Sequence, residues 1–409
     1  MMRISSQQIF SGGINRLQGI NSNLVDTQQQ ISTGKRVNKP SDDPVAAARI
    51  LKLDQQLRRV ETYERNANLA DNRLKQEESA LSSSVDIIQR VRELTVQAGS
   101  SSLSNNDRQS ISAELKERLG QLANIANTRD ASGEYIFSGF QGKTPAFAQT
   151  TAGEWQYQGD EGQRVLEIDD GVTVPISDHG KGIFVDVPAA ISVKENTSTD
   201  GYVSNLELVA PRDLRDAFSP AVPDDLELNV VENAGTGELE ITAIDPRNGN
   251  VLATEPSPAV PGEDFRVAGI TLKVDDVQDG DSLTLGISDK QSIFGTIENL
   301  IAGLDTTAKG SPKGNAEYDA MIAETLTNLD SGQESVILKQ TELGGRLNAV
   351  ESTTAFLEDS GLYTKEIRSQ LQDVDYAEAI SNLSFQSFVL QAAQQSFAQV
   401  SRMSLFDRL

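Results

Sequence analysis

Residues 53–88 read LDQQLRR VETYERN ANLADNR LKQEESA LSSSVDI I when they are divided into sevens. The first position of every seven is apolar: Leu53, Val60, Ala67, Leu74, Leu81 and Ile88. An apolar row repeated at this spacing favours long helices that pack along one another. It predicts one helix from Pro44 to Ala98, about 80 Å long at roughly 1.5 Å per residue, a length suited to fibres and spacers.

A second row with the same spacing lies near the other end of the chain. It consists of Ile322, Leu329, Val336, Leu343, Val350 and Leu357. The neighbouring seam beside the first row is only partly apolar: Ile50, Leu57 and Val85 fill three of its positions, and the others hold Glu64, Asp71, Glu78 and Arg92. A local two-stranded coiled coil is one interpretation, but this mixed seam fits a wider helical bundle better. A shorter amphipathic helix is predicted from Asn105 to Ala126, with Asn106 or Asp107 as its N-cap.

Both ends of the chain are nearly free of charge. Residues 379–401 carry no charged side chain, and 11 of these 23 residues are Ser, Asn or Gln. From Ile4 to Gly34 the only charged residues are Arg16 and Asp26. A solvated helix normally carries Lys and Glu on its wet side, and a membrane span does not hold so many amides and hydroxyls. Such ends are typical of helices surrounded by protein, which indicates a subunit of an assembly.

The composition excludes several classes of function. The 409 residues include no cysteine and a single histidine, His179, which leaves no thiolate metal site and no motif that needs two histidines. The net charge of −24 argues against a nucleic-acid partner. We find no apolar run of signal-peptide or membrane-span length, so neither a Sec route nor a membrane partner is predicted.

Charge and proline divide the chain into three parts. Between Gln141 and Lys290 there are 28 acidic and 10 basic residues, and ten of the 13 prolines fall in the same window. The flanks from Val45 to Thr144 and from Lys313 to Leu409 contain no proline, as long helices require. We therefore predict a mainly α fold with a β insert, in which long antiparallel helical bundle or coiled-coil arms come from both termini. A β-rich outer domain is inserted between these arms.

The insert contains stretches with strand character between Gly, Asp, Asn and Pro turns. The predicted strands are Glu154–Tyr157, Arg164–Ile168, Tyr202–Leu208, Glu238–Ile244, Gly269–Val274 and Ser282–Ile287. A turn is predicted at residues 245–249, DPRNG. The paired aspartates of this region are interpreted as solvated turn residues rather than as paired carboxylate catalysts. No catalytic residues, cofactor or metal site are predicted, and the chain is not expected to be an enzyme.

Several motifs carry a resemblance to a known family. Residues 30–47, QISTGKRVNKPSDDPVAA, resemble the spoke between the two N-terminal helices of bacterial flagellin-like proteins, and NANLAD at 66–71 and QRVRELTVQA at 89–98 extend the likeness. Within this superfamily, MRIS at 2–5, the two prolines of the spoke, GEYIFSG at 133–139 and SLFDRL at 404–409 resemble the hook-associated members. The resemblance covers both helical arms, roughly residues 1–140 and 291–409.

The resemblance implies a structural subunit that joins hook to filament and serves flagellum-dependent motility. It implies a tubular assembly with residues 1–45 and 370–409 as a terminal inner layer, 46–190 and 291–369 as a heptad bundle with a β-hairpin, and 191–290 as the outer insert. The implied partners are its own copies in a ring, the first hook-associated protein, and flagellin or the filament cap protein. Secretion from the cytoplasm through the flagellar type III export apparatus, with an export chaperone, is also implied. A filament-forming flagellin is the alternative function, and an adhesin-type binding module in the insert is less favoured.

Two sets of residues are predicted to serve assembly. The apolar rows of the terminal segments are expected to make subunit contacts, through Phe10, Leu17, Leu24, Ile31, Leu383, Leu390, Phe397 and Val400. In the spoke, Pro40 and Pro44 are expected to end one helix and to start the next. Ser41, Asp42 and Asp43 are expected to accept the unpaired amides at the start of the long helix.

Overall fold

The computed structural model describes residues 6–101, 103–218, 222–233, 235, 239–252, 257–258, 264–288 and 290–406. Two compact units can be distinguished. The first, which we call the terminal unit, comprises Met1–Asn68, Ile168–Gly171 and Ser352–Leu409. The second, the central unit, comprises Leu69–Glu167 and Val172–Glu351.

Helices account for most of the two flanks. They are α1 at Ser6–Thr33, α2 at Pro44–Ala98, α3 at Asn105–Ala126, α4 at Pro211–Ala217, α5 at Ile293–Thr306, α6 at Pro312–Gln372 and α7 at Tyr376–Phe406, with one π-helical turn at Lys181–Val185. The predicted bounds of α2 and α3 are confirmed at both ends. The mainly α fold with long terminal helices around a β-rich middle is thereby confirmed as well.

Burial follows the two heptad rows. All six residues of the downstream row are at most 7% exposed, as are five of the six in the upstream row, from Val60 to Ile88. The charged residues of the mixed seam, Glu64, Asp71, Glu78 and Arg92, stay at least partly exposed. In the central unit Arg92 Nε donates to Asp330 Oδ1 at 2.6 Å. The positive charge of this seam residue is therefore paired with a carboxylate of α6.

The N-cap predicted for α3 is wrong. Ser104, not Asn106 or Asp107, is the N-cap residue, and its hydroxyl accepts from the Asp107 amide while Asp107 Oδ2 accepts from the Ser104 amide at 3.0 Å. Asp107 occupies the third helical position of this reciprocal capping box, where an acidic side chain can reach back to the capping residue. The two hydrogen bonds fix where α3 begins.

Strands fill the middle of the chain. The first five are β1 at Phe147–Gln149, β2 at Trp155–Tyr157, β3 at Val165–Asp169, β4 at Val172–Pro175 and β5 at Val187–Pro188. The rest are β6 at Ser192–Asn196, β7 at Tyr202–Leu208, β8 at Asp225–Glu232, β9 at Leu239–Asp245, β10 at Asn250–Val251, β11 at Ser257–Pro258, β12 at Asp264–Val267, β13 at Ile270–Asp275, β14 at Ser282–Gly286 and β15 at Lys290–Gln291. The six predicted strands are confirmed as β2, β3, β7, β9, β13 and β14, with each end within one residue; Glu238 itself lies outside the described residues.

Two sheets within the central unit enclose one apolar core. One sheet has the order β10-β9-β8-β14-β6, with β11 also paired to β9, and the other has the order β12-β13-β7. Leu228 and Leu285 from the first sheet and Leu272 from the second are fully buried in this core. The predicted turn after β9 is confirmed, because Gly249 has a φ of 70° and its amide donates to the Asp245 carbonyl at 2.8 Å.

A separate aromatic cluster lies in the central unit near α5. Phe137, Phe147, Phe184 and Phe294 are fully buried, and the rings of Phe147 and Phe294 are 4.6 Å apart between centroids. Trp155, the single tryptophan of the chain, lies 6.2 Å from Phe294 between ring centroids. Its fluorescence is therefore a probe of the central unit.

Candidate assembly surface

The two terminal helices lie against each other. Thr27 Oγ1 is 3.1 Å from Gln386 Oε1, and a Cβ placed on Gly13 would come within 2.8 Å of the Phe397 ring. Near the other end of the pair, a Cβ placed on Gly34, just after α1, would lie 3.0 Å from the Tyr376 hydroxyl oxygen. These three contacts define an antiparallel pair, and none of them involves a charged side chain.

The predicted contact residues whose side chains the structure describes lie on the half-buried side of this pair. Six of them are half-buried within the chain: Leu17, Leu24, Ile31, Leu383, Leu390 and Phe397. The other two, Phe10 and Val400, lie outside the residues whose side chains are described. Because most of the surface of each of these six residues is already covered by its own chain, these rows leave only a small part of their surface for a partner.

A second set of apolar side chains on the same helices is more exposed. Phe385 and Phe388 are 67% and 68% exposed, Ile380 is 53% exposed and Val25 is 51% exposed. None of these four was predicted as a contact residue, because the seven-residue rows led to the half-buried side. Large apolar side chains that cluster on a helix surface mark sites of protein contact.

Within the spoke, residues 34–43 join α1 to α2. Helix α1 ends at Thr33, where Gly34 takes a φ of 72°. Such a left-handed residue ends a helix at little cost when it is glycine. The expectation that Pro40 ends this helix is therefore wrong: Pro40 lies in a separate turn, in which the Asp42 amide donates to the Lys39 carbonyl at 3.0 Å.

The spoke is held to the chain between α6 and α7. The Arg36 amide donates to the Gln372 carbonyl at 2.7 Å, and its guanidinium Nη2 donates to the Leu371 carbonyl at 2.9 Å. The Val374 amide donates to the Gly34 carbonyl at 3.0 Å. Together these hydrogen bonds fix the two helix-to-helix connections of the terminal unit against each other.

Two aspartates open the helices that follow these connections. Asp43 Oδ1 accepts from the amides of Val45 and Ala46 at 3.2 and 2.9 Å, and Pro44 is the first residue of α2. Asp375 Oδ1 accepts from the amides of Ala377 and Glu378 at the start of α7. Each carboxylate lies at the positive end of a helix, where it is favoured.

The other two predicted capping residues have different partners. Asp42 Oδ2 accepts from the amides of Asn38 and Lys39 at 3.0 and 2.8 Å, so it closes the turn rather than capping α2. The Ser41 hydroxyl is 3.4 Å from Asp42 Oδ1. The hydrogen bond from the Lys39 amide, and then that from Asn38, lowers the pKa of the Asp42 carboxyl below its usual value. The prediction for the start of α2 thus holds for Asp43 but not for Ser41 or Asp42.

The described residues hold no group of three or more His, Cys, Asp or Glu side chains placed to bind a metal ion. His179 is half-buried, and its Nδ1 accepts from the Gly182 amide at 3.1 Å. Across the part of the chain that the structure describes, none of the helices is long and apolar enough to cross a membrane.

Comparison with known proteins gives consistent matches over the whole chain. Residues 4–142 match the model of the bacterial flagellin N-terminal helical region, and residues 322–409 match that of the bacterial flagellin C-terminal helical region. A flagellar hook-associated protein 3 of Salmonella typhimurium is 26% identical over 99% of both chains. The crystal structure of a flagellar junction protein from Legionella pneumophila is 27% identical and superposes with a TM-score of 0.62 over 80% of this chain and 100% of that one.

Flagellins match less well. Flagellin B of Vibrio anguillarum is 23% identical over 92% of this chain and 90% of its own length. The two flagellin regions together cover more than half of the chain, and the likeness to the hook-associated relatives extends through the insert to nearly the full length of both. The chain therefore belongs to the bacterial flagellin family, in its group of hook-associated protein 3 structural proteins of the flagellum.

Proposed function

We propose that this chain forms the junction between hook and filament, as a ring of its own copies. Its expected neighbours are the first hook-associated protein on one side and flagellin or the filament cap protein on the other. The observation that carries this proposal is the match to hook-associated protein 3 along 99% of the chain, insert included. The exposed phenylalanines of the uncharged helix α7 supply a surface that such a ring would cover.

The route to the flagellum belongs to the same proposal. The chain would leave the cytoplasm unfolded through the flagellar type III export apparatus, with an export chaperone holding α7 before assembly. A free α7 exposes Phe385 and Phe388 in a helix with almost no charge, which is a surface prone to aggregation. A chaperone that covers α7 would remove that hazard.

Seeded polymerisation separates a junction protein from a filament protein. Purified chain is added to short hook or filament fragments, and growth is measured by electron microscopy, with flagellin from the same organism as the control. We expect the chain to bind fragment ends and to stop as a short terminal layer, whereas flagellin elongates. Long filaments built from this chain alone would overturn the proposed function in favour of a flagellin.

A further inference from the structure

Within the terminal unit, α2 and α6 pack together through their apolar sides. Ile50 and Leu371 belong to one small core, and the Val60 side chain lies 3.4 Å from a Cβ position at Gly361. Arg368 Nη1 donates to Asp54 Oδ1 at 3.2 Å across the same contact. The two helices are therefore antiparallel here, with residue 50 beside 371, 54 beside 368 and 60 beside 361.

The outer side of α2 in this region is basic. Lys52, Arg58, Arg59 and Arg65 are exposed and lie on the part of α2 that is turned away from the buried Ile50, Leu57 and Val60; we call these four residues the basic face. Lys52 and Arg59 are seven residues apart, as are Arg58 and Arg65, and seven residues make nearly two turns, so the four residues form two rows along the outer part of the helix. None of the four forms an ion pair with any residue that the structure describes. This positive charge is notable in a chain with a net charge of −24.

The outer side of α6 at the same height is acidic and apolar. Glu358, Asp359 and Glu366 are exposed there, again without an ion pair among the described residues. On the same side of α6, Phe356, Leu362 and Tyr363 are 61%, 69% and 65% exposed, respectively. We call these six residues the acidic face. Exposed large apolar residues edged by charge are typical of protein contact surfaces.

The basic face of α2 and the acidic face of α6 both lie on the side of their helix that is turned away from the contact between the two helices. The two faces therefore point away from each other. Residues 52–65 and 356–369 run beside each other in opposite directions, so the two faces lie at the same height along the pair. A surface of one sign on one side and of the other sign on the opposite side fits a head-to-tail contact between identical subunits. It does not fit a two-fold contact, which would place like charges together.

We propose that the basic face of one copy docks side by side onto the acidic face of the next copy, and that this is a lateral contact of the assembled ring. The proposal rests on the proposed function, since it names the surface by which copies adjoin. Leu51 on the outer side of α2, which is 58% exposed, gives the apolar residues of the acidic face a partner. The unpaired charges of both faces would be neutralised in every copy at once.

Charge reversal tests this contact without changing the fold. Arg58→Glu with Arg59→Glu should lower the amount of chain in isolated flagella about tenfold, because like charges then meet across the contact. Adding Glu358→Arg and Asp359→Arg in the same chain should restore incorporation to within about twofold of the wild type, because every contact regains opposite charges. The matched control is Arg212→Glu with Arg266→Glu, which changes the net charge equally at two exposed insert residues and should leave incorporation unchanged.

Chemical cross-linking then identifies which molecule contacts the acidic face. The chain has no cysteine, so Gln55→Cys on the outer side of α2 and Leu362→Cys on the acidic face introduce the only thiols. In isolated flagella treated with a short bismaleimide, the double variant should give a ladder of covalent oligomers, and each single variant should stay monomeric. Dimers from either single variant would show a two-fold contact, and a product with another flagellar protein would show a different occupant; either result overturns the proposal.

The remaining outcomes separate this proposal from the proposed function. If the double-cysteine variant is present in flagella but gives no ladder, the lateral contact is wrong while the junction function stands. If the wild-type chain itself is absent from isolated flagella, the junction function fails. If the cysteines disturb incorporation, the charge-reversal series decides: a folded Arg58→Glu/Arg59→Glu variant incorporated at the wild-type level, or a four-residue variant no better than the two-residue one, overturns the proposal. Circular dichroism and the melting temperature establish that each variant is folded.

Discussion

At the scale of single residues, Glu77 of α2 is an acid in an unusual place. It is 2% exposed, and its Oε1 has no hydrogen-bond partner. Burial first, and then the nearby Asp178, raises its pKa from 4.5 to about 8, although Arg346 and Lys339 oppose the shift. At neutral pH the folded chain therefore holds this carboxyl protonated.

The raised pKa of Glu77 predicts a pH dependence of stability. Folding takes up a proton between pH 4.5 and about 8, so the contribution is fully present below 4.5 and is lost as pH rises to about 8. The loss is at most about 1.4 kcal/mol per pH unit in this window. Glu77→Gln should remove this slope, whereas the exposed neighbour Glu78→Gln should keep it. Urea unfolding followed by Trp155 fluorescence at pH 5 and pH 8 measures both; equal slopes in the two variants would show that Glu77 is not the proton-binding group.

The capping contacts predict a difference between two neighbours in the spoke. Asp43→Ala removes the acceptor for two amides at the start of α2 and should lower local stability by about 0.5–2 kcal/mol. Ser41→Ala removes no such acceptor and should change nothing. Hydrogen exchange of the amides of residues 45–50 is the measurement. Equal exchange rates in both variants would contradict the assignment of the cap to Asp43.

Residue types alone predict only in part which side chains cap a helix and which acids are buried. Ser, Asp and Asn near a helix start are all plausible caps, and backbone direction decides among them, which is why Asp43 and Ser104 cap while Asp42 and Asn106 do not. The burial of Glu77 was not predicted, because an acid beside the exposed Glu78 in an amphipathic helix is ordinarily solvated. Its environment comes from Asp178, Arg346 and Lys339, which are distant in sequence.

At the scale of elements, long-range periodicity was the most informative signal. The heptad rows predicted α2, and the proline-free flanks predicted where long helices could run. Each of these two signals is contained in one continuous stretch of sequence and needs no knowledge of tertiary contacts. Helix α5 was not predicted, although Ile293, Ile297, Leu300 and Leu304 are spaced for one buried side. Strands β6 and β8 were also missed; β8 reads DLELNVVE, in which acidic residues alternate with the buried ones.

Removing α7 should separate assembly from folding. Deletion of residues 379–409 should abolish incorporation into flagella, because it removes the exposed Ile380, Phe385 and Phe388. The urea transition of Trp155 should not move, since Trp155 lies in the other unit. The milder variant Phe385→Ala/Phe388→Ala should reduce incorporation, while Val231→Ala, at an apolar residue of the insert that is 50% exposed, should not. Deleted chain found in intact flagella would show that α7 makes no required contact.

The insert should be dispensable for assembly. Its two ends are already side by side, because Val187 pairs with Gln291 and Pro188 with Lys290 in an antiparallel bridge, and the residues between have their own apolar core. Joining residue 190 to residue 290 by a short glycine-serine turn should therefore leave the helical arms folded. We expect this shortened chain to support junction formation and swimming. A well-expressed shortened chain that fails to form the junction would reveal an assembly contact in the insert.

At the scale of the whole molecule, charged residues are distributed unevenly along the sequence. Residues 141–290 hold 28 of the acidic residues, whereas the terminal helices are nearly uncharged. That division could be predicted from the sequence, as could the membership of the family through the spoke and the two termini. Which side of each terminal helix is exposed could not, because it depends on how α1 and α7 cover each other.

The central claim is that the chain occupies the boundary between hook and filament. Electron cryomicroscopy of isolated flagella with a label inserted in the insert turn at residues 246–249 tests it directly, since these four residues are exposed. We expect label in a single band at the hook–filament boundary and none farther along. Label distributed along the filament, or absent from the boundary of flagella that contain the chain, would contradict it.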